Sequence, residues 1–245
     1  MVERKERLEE EFELGEEDEA IHEYEALTDG YLHVTASLIA DEIAHLAKDR
    51  QGVAVDLGCG PGSLVKELAL RFPQLLVIGL DISFPMTKLA RERTTVENVA
   101  FVVADVHHLP FQTRSVQMIV SHGAMHHWRE LARALAEVKQ VLADKGFVYL
   151  SDLKRDTPHE LVEEIAALLN KNQARAFLNS IKAAYTVEEL AALAAAAGLG
   201  NLHVEPESFS RRAIARNIEK LRESPLRGMR QAAINLRMVG GAETL

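Results

Sequence analysis

The chain has 245 residues, enough to bury one sizeable core that carries small appendages. Its 28 Lys+Arg against 37 Asp+Glu give a formal charge of -9, which repels phosphate backbones and excludes nucleic acid as the default partner. A single cysteine excludes an internal disulfide or a multi-cysteine metal site, and it fits a reducing compartment.

Acids crowd the first 25 or so residues, and this opening, MVERKERLEEEFELGEEDEA, lacks the apolar core of a signal peptide. No apolar run reaches the roughly 18 residues of a membrane span, so the expectation is a soluble, cytoplasmic protein without a membrane partner. From Ala20 to Leu46 the pattern turns helical, with Leu32, Thr35, Ala36, Ile39, Ile43 and Leu46 on one face. Residues 1–50 are therefore expected to form an acidic, helical lead-in.

From Gly52 onward short apolar runs alternate with amphipathic segments. The runs are GVAVDL, LLVIGLD, VAFVVAD, VQMIVS and GFVYLSD, and helices are predicted from about Ser63, Phe84 and Arg129. Five buried-type strands joined mainly by helices imply a parallel sheet covered on both faces. In the third helix Leu131, Ala134, Leu135, Val138, Val141 and Leu142 recur at helical spacing, and Gly146 stands where a helix stop belongs. The segment 158–185 interrupts the alternation and is expected to be a helical lid. Thr186 and Glu189 have capping-box spacing and Gly198 marks a stop, which predicts another helix. NLHVEPE and a piece of SFSRRAIARN are expected to supply two more strands. The sheet domain is thus placed at 51–215, with a basic, helical tail at 216–245.

The first strand ends in VDLGCGPG and leads into a helix. This puts bare backbone amides and a helix N-terminus at the carboxyl edge of the sheet, where open α/β folds bind ligands. A dinucleotide fingerprint requires glycine or alanine at the sixth position counted from Gly58, but Ser63 stands there. Asp56 would also lie close to a pyrophosphate and repel it, whereas a ligand with an amino group would be attracted. Cys59, a small residue inside the loop, needs no chemical role.

VDLGCGPG resembles the first signature of class I S-adenosylmethionine-dependent methyltransferases, and the other signatures follow in order between Val53 and Asp152. The resemblance implies an α/β, Rossmann-like, doubly wound and mostly parallel sheet of seven strands, with S-adenosyl-L-methionine as cofactor. It assigns Asp56, Gly58, Gly60 and Gly62 to the methionine end of the cofactor. It assigns Asp81, in GLDIS, to the ribose hydroxyls and Ile82 to the adenine. Asp105 and Val106, in ADVHHLPF, match the contacts to the adenine amine, and Ser121, before HGAMHHW, matches a contact near the sulfonium.

The implied activity is methylation of a small molecule at oxygen, nitrogen, sulfur or carbon. The segment after the fourth strand is not the Asn/Asp-Pro-Pro-Tyr type of many nucleic-acid and protein amine methylases. His126 is the candidate base or substrate contact, because a neutral imidazole accepts a proton near pH 7. His122, Arg155 at the pocket rim and Tyr185 in the lid are further candidates for the substrate, and Tyr24 for covering the cofactor. No metal site is expected, since no ligand spacing of the His-Glu-x-x-His kind occurs. An NAD(P)-dependent oxidoreductase and a binding protein without turnover remain the alternatives.

Overall fold

A computed structural model describes residues 7, 34–48, 50–217 and 234–241 of the chain. Residues 34–46 form helix α1. Then follow β1 (Gly52–Leu57), α2 (Ser63–Arg71), β2 (Leu75–Asp81), α3 (Phe84–Arg93), β3 (Val99–Val103) and β4 (Val116–His122). A single 3-10 turn (Met125–His127) leads to α4 (Leu131–Val141) and the long β5 (Leu142–Leu153). The chain continues through α5 (His159–Ala167), α6 (Lys171–Ala183), α7 (Val187–Ala196), β6 (His203–Pro206), α8 (Arg211–Arg216) and β7 (Asn235–Gly241).

The strands make one seven-stranded sheet in the order β3-β2-β1-β4-β5-β7-β6. β1 to β5 are parallel, while β7 runs antiparallel to both of its neighbours. The order reverses between β1 and β4, and this switch point opens a crevice at the carboxyl ends of the strands. Side chains alternate across the sheet as the pleat requires. On one face Val55, Ile119, Val148 and Leu150 pack against Leu131, Leu135 and Val138 of α4 and Leu190 of α7. On the other face Ala54, Met118, Val120 and Tyr149 pack against Ile39 and Ile43 of α1 and Val65 and Leu68 of α2.

The doubly wound sheet matches the expected fold class, with four differences in detail. Leu46 is exposed, and Ala40 and Ala47 join Thr35, Ala36, Ile39 and Ile43 on the buried face of α1. Leu32 lies outside the described residues. Gly146 does not stop α4, which ends at Val141 and passes directly into β5. Val116 pairs with Leu142 but Met118 with Phe147, so β5 bulges over 143–146, and a Cβ on Gly146 would collide with the Leu142 side chain. Within SFSRRAIARN the structure has a helix instead of a strand, because the Ser210 hydroxyl caps α8 by accepting the Ala213 amide.

The largest correction concerns the tail. Its residues Asn235–Gly241 are β7, which lies inside the sheet and buries Leu236 and Met238. The boundary drawn at residue 215 therefore cuts through the domain. The insertion 158–185 is helical as expected, comprising α5 and α6.

Candidate cofactor cleft and acceptor site

The loop between β1 and α2 is tied to β2 by the amides of Gly58 and Cys59, both of which donate to the Leu80 carbonyl (2.7 and 3.0 Å). Gly58 has φ +72°, and a Cβ there would come within 2.5 Å of Ala124 Cβ. Gly60 has φ +49° but faces open space, so a side chain at this position would project into the cleft and not into protein. Asp56 of β1, Gly58, Cys59 and Gly60 of the loop, Ala36 of α1, His122 of β4 and Gly123 after it line the cleft together.

Two carboxylates sit beneath this loop. Asp56 is buried and its Oδ1 has no hydrogen-bond partner. Burial, and then the charge of Asp81, push its carboxyl up to about 8. Asp81 accepts the Gly60 amide on Oδ2 (2.8 Å) and the Ser83 amide on Oδ1 (2.9 Å). Burial raises the Asp81 carboxyl above its ordinary value, although the Ser83 and Gly60 amides oppose that rise. A carboxylate has about four acceptor directions, so these backbone amides do not exhaust Asp81. Ile82 and Phe84 beyond Asp81, and Val103 paired with Asp81 across the sheet, are all exposed apolar side chains. They offer a ready face for a flat, apolar ring.

Asp105 stands at the next strand end, where its Oδ1 accepts the His107 amide (2.9 Å) and lies 2.6 Å from His107 Nδ1. Burial works to raise this carboxyl, but the His107 amide and ring and the charge of His108 carry it below the usual range. The Val106 side chain turns into the core, so only its backbone is available to a ligand.

His122, which ends β4, and His126, in the 3-10 turn, have different surroundings. His122 lines the cleft, and its Nδ1 lies 3.3 Å from Ser151 Oγ. His126 is buried away from those lining residues and is gripped twice by Asp152: its amide donates to Oδ2 (2.8 Å) and its Nδ1 lies 2.7 Å from Oδ1. Burial works to raise the Asp152 carboxyl, yet the charge and hydrogen bonds of His126 hold it below its ordinary value. This pair fastens the 3-10 turn to the end of β5.

Residues 55–150 match the family model described as a methyltransferase domain. Over these residues the chain has a methyltransferase domain, in line with the resemblance to class I S-adenosylmethionine-dependent methyltransferases. Over 108 residues it is 33% identical to a malonyl-[acyl-carrier protein] O-methyltransferase of Legionella pneumophila, which covers 44% of this chain and 38% of that protein. A demethylmenaquinone methyltransferase of Thermotoga maritima is 32% identical over 99 residues, 40% of this chain and 42% of its own length. The chain thus spans less than two thirds of the length of these curated relatives. Among solved structures, the plantazolicin methyltransferase BpumL in complex with a triazolic desmethylPZN analog and SAH superimposes with a TM-score of 0.71 at 14% identity. That match covers 91% of this chain and 90% of the other. At that identity the likeness is one of fold.

Three of the expected contacts do not face the cleft. Ser121 is fully buried and its hydroxyl donates to the Leu57 carbonyl (2.7 Å), so it stitches β4 to β1. Arg155 donates to the Ala184 carbonyl (2.9 Å) and pairs with Glu189, which turns its guanidinium toward α7 and away from a substrate. Tyr185 packs in the core with the Arg7 guanidinium 4.3 Å above its ring. Tyr24 lies outside the described residues. Phe84 and Gly123 went unnoticed in the sequence. Phe84 begins a helix and carries no motif signal of its own, whereas Gly123, with φ +65°, was legible as a turn residue directly after a strand.

No helix among the described residues is long and apolar enough to cross a membrane.

Proposed function

We propose that the protein transfers a methyl group from S-adenosyl-L-methionine to a small molecule. The observation that carries this reading is Asp56, a buried carboxylate with an unpartnered oxygen that lines a cleft floored by bare glycine backbone. An unpaired buried acid is costly unless a cation completes it, and the amino group of the methionine moiety supplies one. A nicotinamide dinucleotide would bring a pyrophosphate to the same place, where Asp56 and Asp81 offer it no cation.

In this reading Asp56 receives the ammonium group and the Gly58–Gly62 loop allows the backbone to approach closely. Asp81 takes the ribose hydroxyls on its remaining acceptor directions. Ile82, Phe84 and Val103 pack against the adenine, and Asp105 accepts from its amine. When bound, the cofactor supplies a methyl group already activated on a sulfonium. The protein's task is then to hold a nucleophile in line at about 3 Å and to exclude water. The α5–α6 insertion is assigned as the cover of the acceptor side, since α6 packs against the 3-10 turn.

The net charge of -9 weighs against a nucleic-acid acceptor, and the lone buried Cys59 suits a cytoplasmic setting. Incubation with S-adenosylmethionine labelled in its methyl group, followed by fractionation of a small-molecule cell extract, tests the activity. Label in a low-molecular-weight product is expected; label confined to nucleic acid would refute the assignment.

A further inference from the structure

Transfer of a methyl group to an O–H or N–H nucleophile forms a carbon–heteroatom bond and breaks the carbon–sulfur bond, whose electron pair stays on sulfur. One proton of the acceptor must then find a base. His122, the last residue of β4, lines the same cleft as Asp56 and Gly123. Its partner across the sheet is Ser151, and with Nδ1 toward the Ser151 hydroxyl (3.3 Å) the ring has Nε2 left for a ligand.

Two immobilised carboxylates bear on this ring. Glu207 is buried and accepts from Tyr149 Oη (2.9 Å) and Asn235 Nδ2 (2.9 Å), while Asp152 is held by His126. Burial lowers the proton affinity of His122; Glu207 and Asp152 oppose this and His126 adds to it, leaving the net shift downward. The ring is consequently neutral at pH 7. Once it takes a proton, the two carboxylates stabilise the imidazolium. They also repel an acceptor that arrives as an anion.

We propose that His122 is the catalytic base of the methyl transfer, and that the acceptor is an uncharged compound presenting a hydroxyl or an N–H group, not a carboxylate. The proposal rests on the methyltransferase reading above and replaces His126 with His122 as the proton acceptor. In the reaction the acceptor's heteroatom gains the methyl group and its proton passes to His122 Nε2.

The wild type and His122→Gln are compared by calorimetry with S-adenosylhomocysteine and by transfer of labelled methyl into small-molecule extract. Affinity is expected to stay within about twofold while transfer falls by roughly 100-fold or more. Labelled product is then treated with alkali, which releases methanol from carboxylate esters but leaves ethers and N-methyl groups intact. Nuclear magnetic resonance of ring-labelled histidine adds a readout independent of turnover. The His122 signal, assigned by its loss in His122→Gln, should titrate at lower pH with the cationic analogue sinefungin bound than with neutral S-adenosylhomocysteine. Equal transfer by the variant, alkali-labile product, or identical titration in the two complexes overturns the proposal and leaves the methyltransferase reading standing. A wild type that binds neither ligand overturns that reading itself, and binding without any transfer overturns both.

Discussion

Asp56 concentrates the energetics of the cleft in one side chain. Its carboxyl is pushed up to about 8, far above the 3.8 of an exposed aspartate, so the folded protein keeps this proton over a range in which the unfolded chain has lost it. The stability linked to that proton is full below about pH 4 and is lost as pH rises toward 8. An ammonium group placed against Asp56 reverses the preference and expels the proton. We therefore expect cofactor-product binding at pH 6 to 7 to release up to one proton, seen as a binding enthalpy that varies with the ionisation enthalpy of the buffer. Asp56→Asn should abolish the buffer dependence, raise the thermal midpoint of the ligand-free protein at pH 8, and weaken binding by about tenfold or more. At Gly60, alanine meets no protein atom but must adopt φ +49°, so Gly60→Ala should cost only about 1–2 kcal/mol of stability while obstructing the ligand. Urea unfolding set beside binding affinity separates the two effects.

At the scale of elements, most of the sheet was legible because β1 to β4 are apolar runs closed by strand-end signals, and their helices show clear spacing. The grouping of Asp56, Asp81 and Asp105 was legible for the same reason, since strand ends deliver them to one edge. β7 was hidden because NLRMVGG follows an arginine-rich run and itself contains a charge. Arg237 is nonetheless nine-tenths buried, satisfied by Glu205 (2.7 and 3.0 Å) and by Glu42 of α1 (3.5 Å), partners that lie 32 and 195 residues away in the chain. No local pattern reports such a distant neutralisation. Ser121 and Arg155 turn to the protein for a related reason: their residue types suit a ligand, but nearby carbonyls and Glu189 engage them. Leu236→Ala should cost about 2–5 kcal/mol if β7 is a core strand, and under about 0.5 kcal/mol if these residues were an appended tail. Asp152→Ala, which strands the buried His126 contact, should cost about 3–5 kcal/mol.

The whole molecule is closed by polar ties between its beginning and its end. Asp41 of α1 receives Arg71 (2.9 Å), Arg216 (3.1 Å) and Asn217 (2.8 Å), and Glu42 accepts the Ser210 amide (2.7 Å). Burial works to raise the Asp41 carboxyl, but Arg71, Asn217 and Arg216 hold it below the usual 3.8. Asp152 is depressed likewise. The stability these two acids contribute is present above about pH 4 and disappears as pH falls through their lowered values. Acid unfolding followed by circular dichroism should accordingly set in below pH 4, and Asp41→Asn should move its onset upward.

These ties hold α1 at the cleft, which Ala36 lines together with His122. In the proposed reading the acid-lined end of this crevice is the cofactor's and the acceptor side belongs to His122. Calorimetric titration of the full chain with S-adenosylhomocysteine tests that account most directly. It predicts binding at one site per chain, with proton release that vanishes in Asp56→Asn; absence of binding heat in several buffers, with no thermal stabilisation by the ligand, would contradict it.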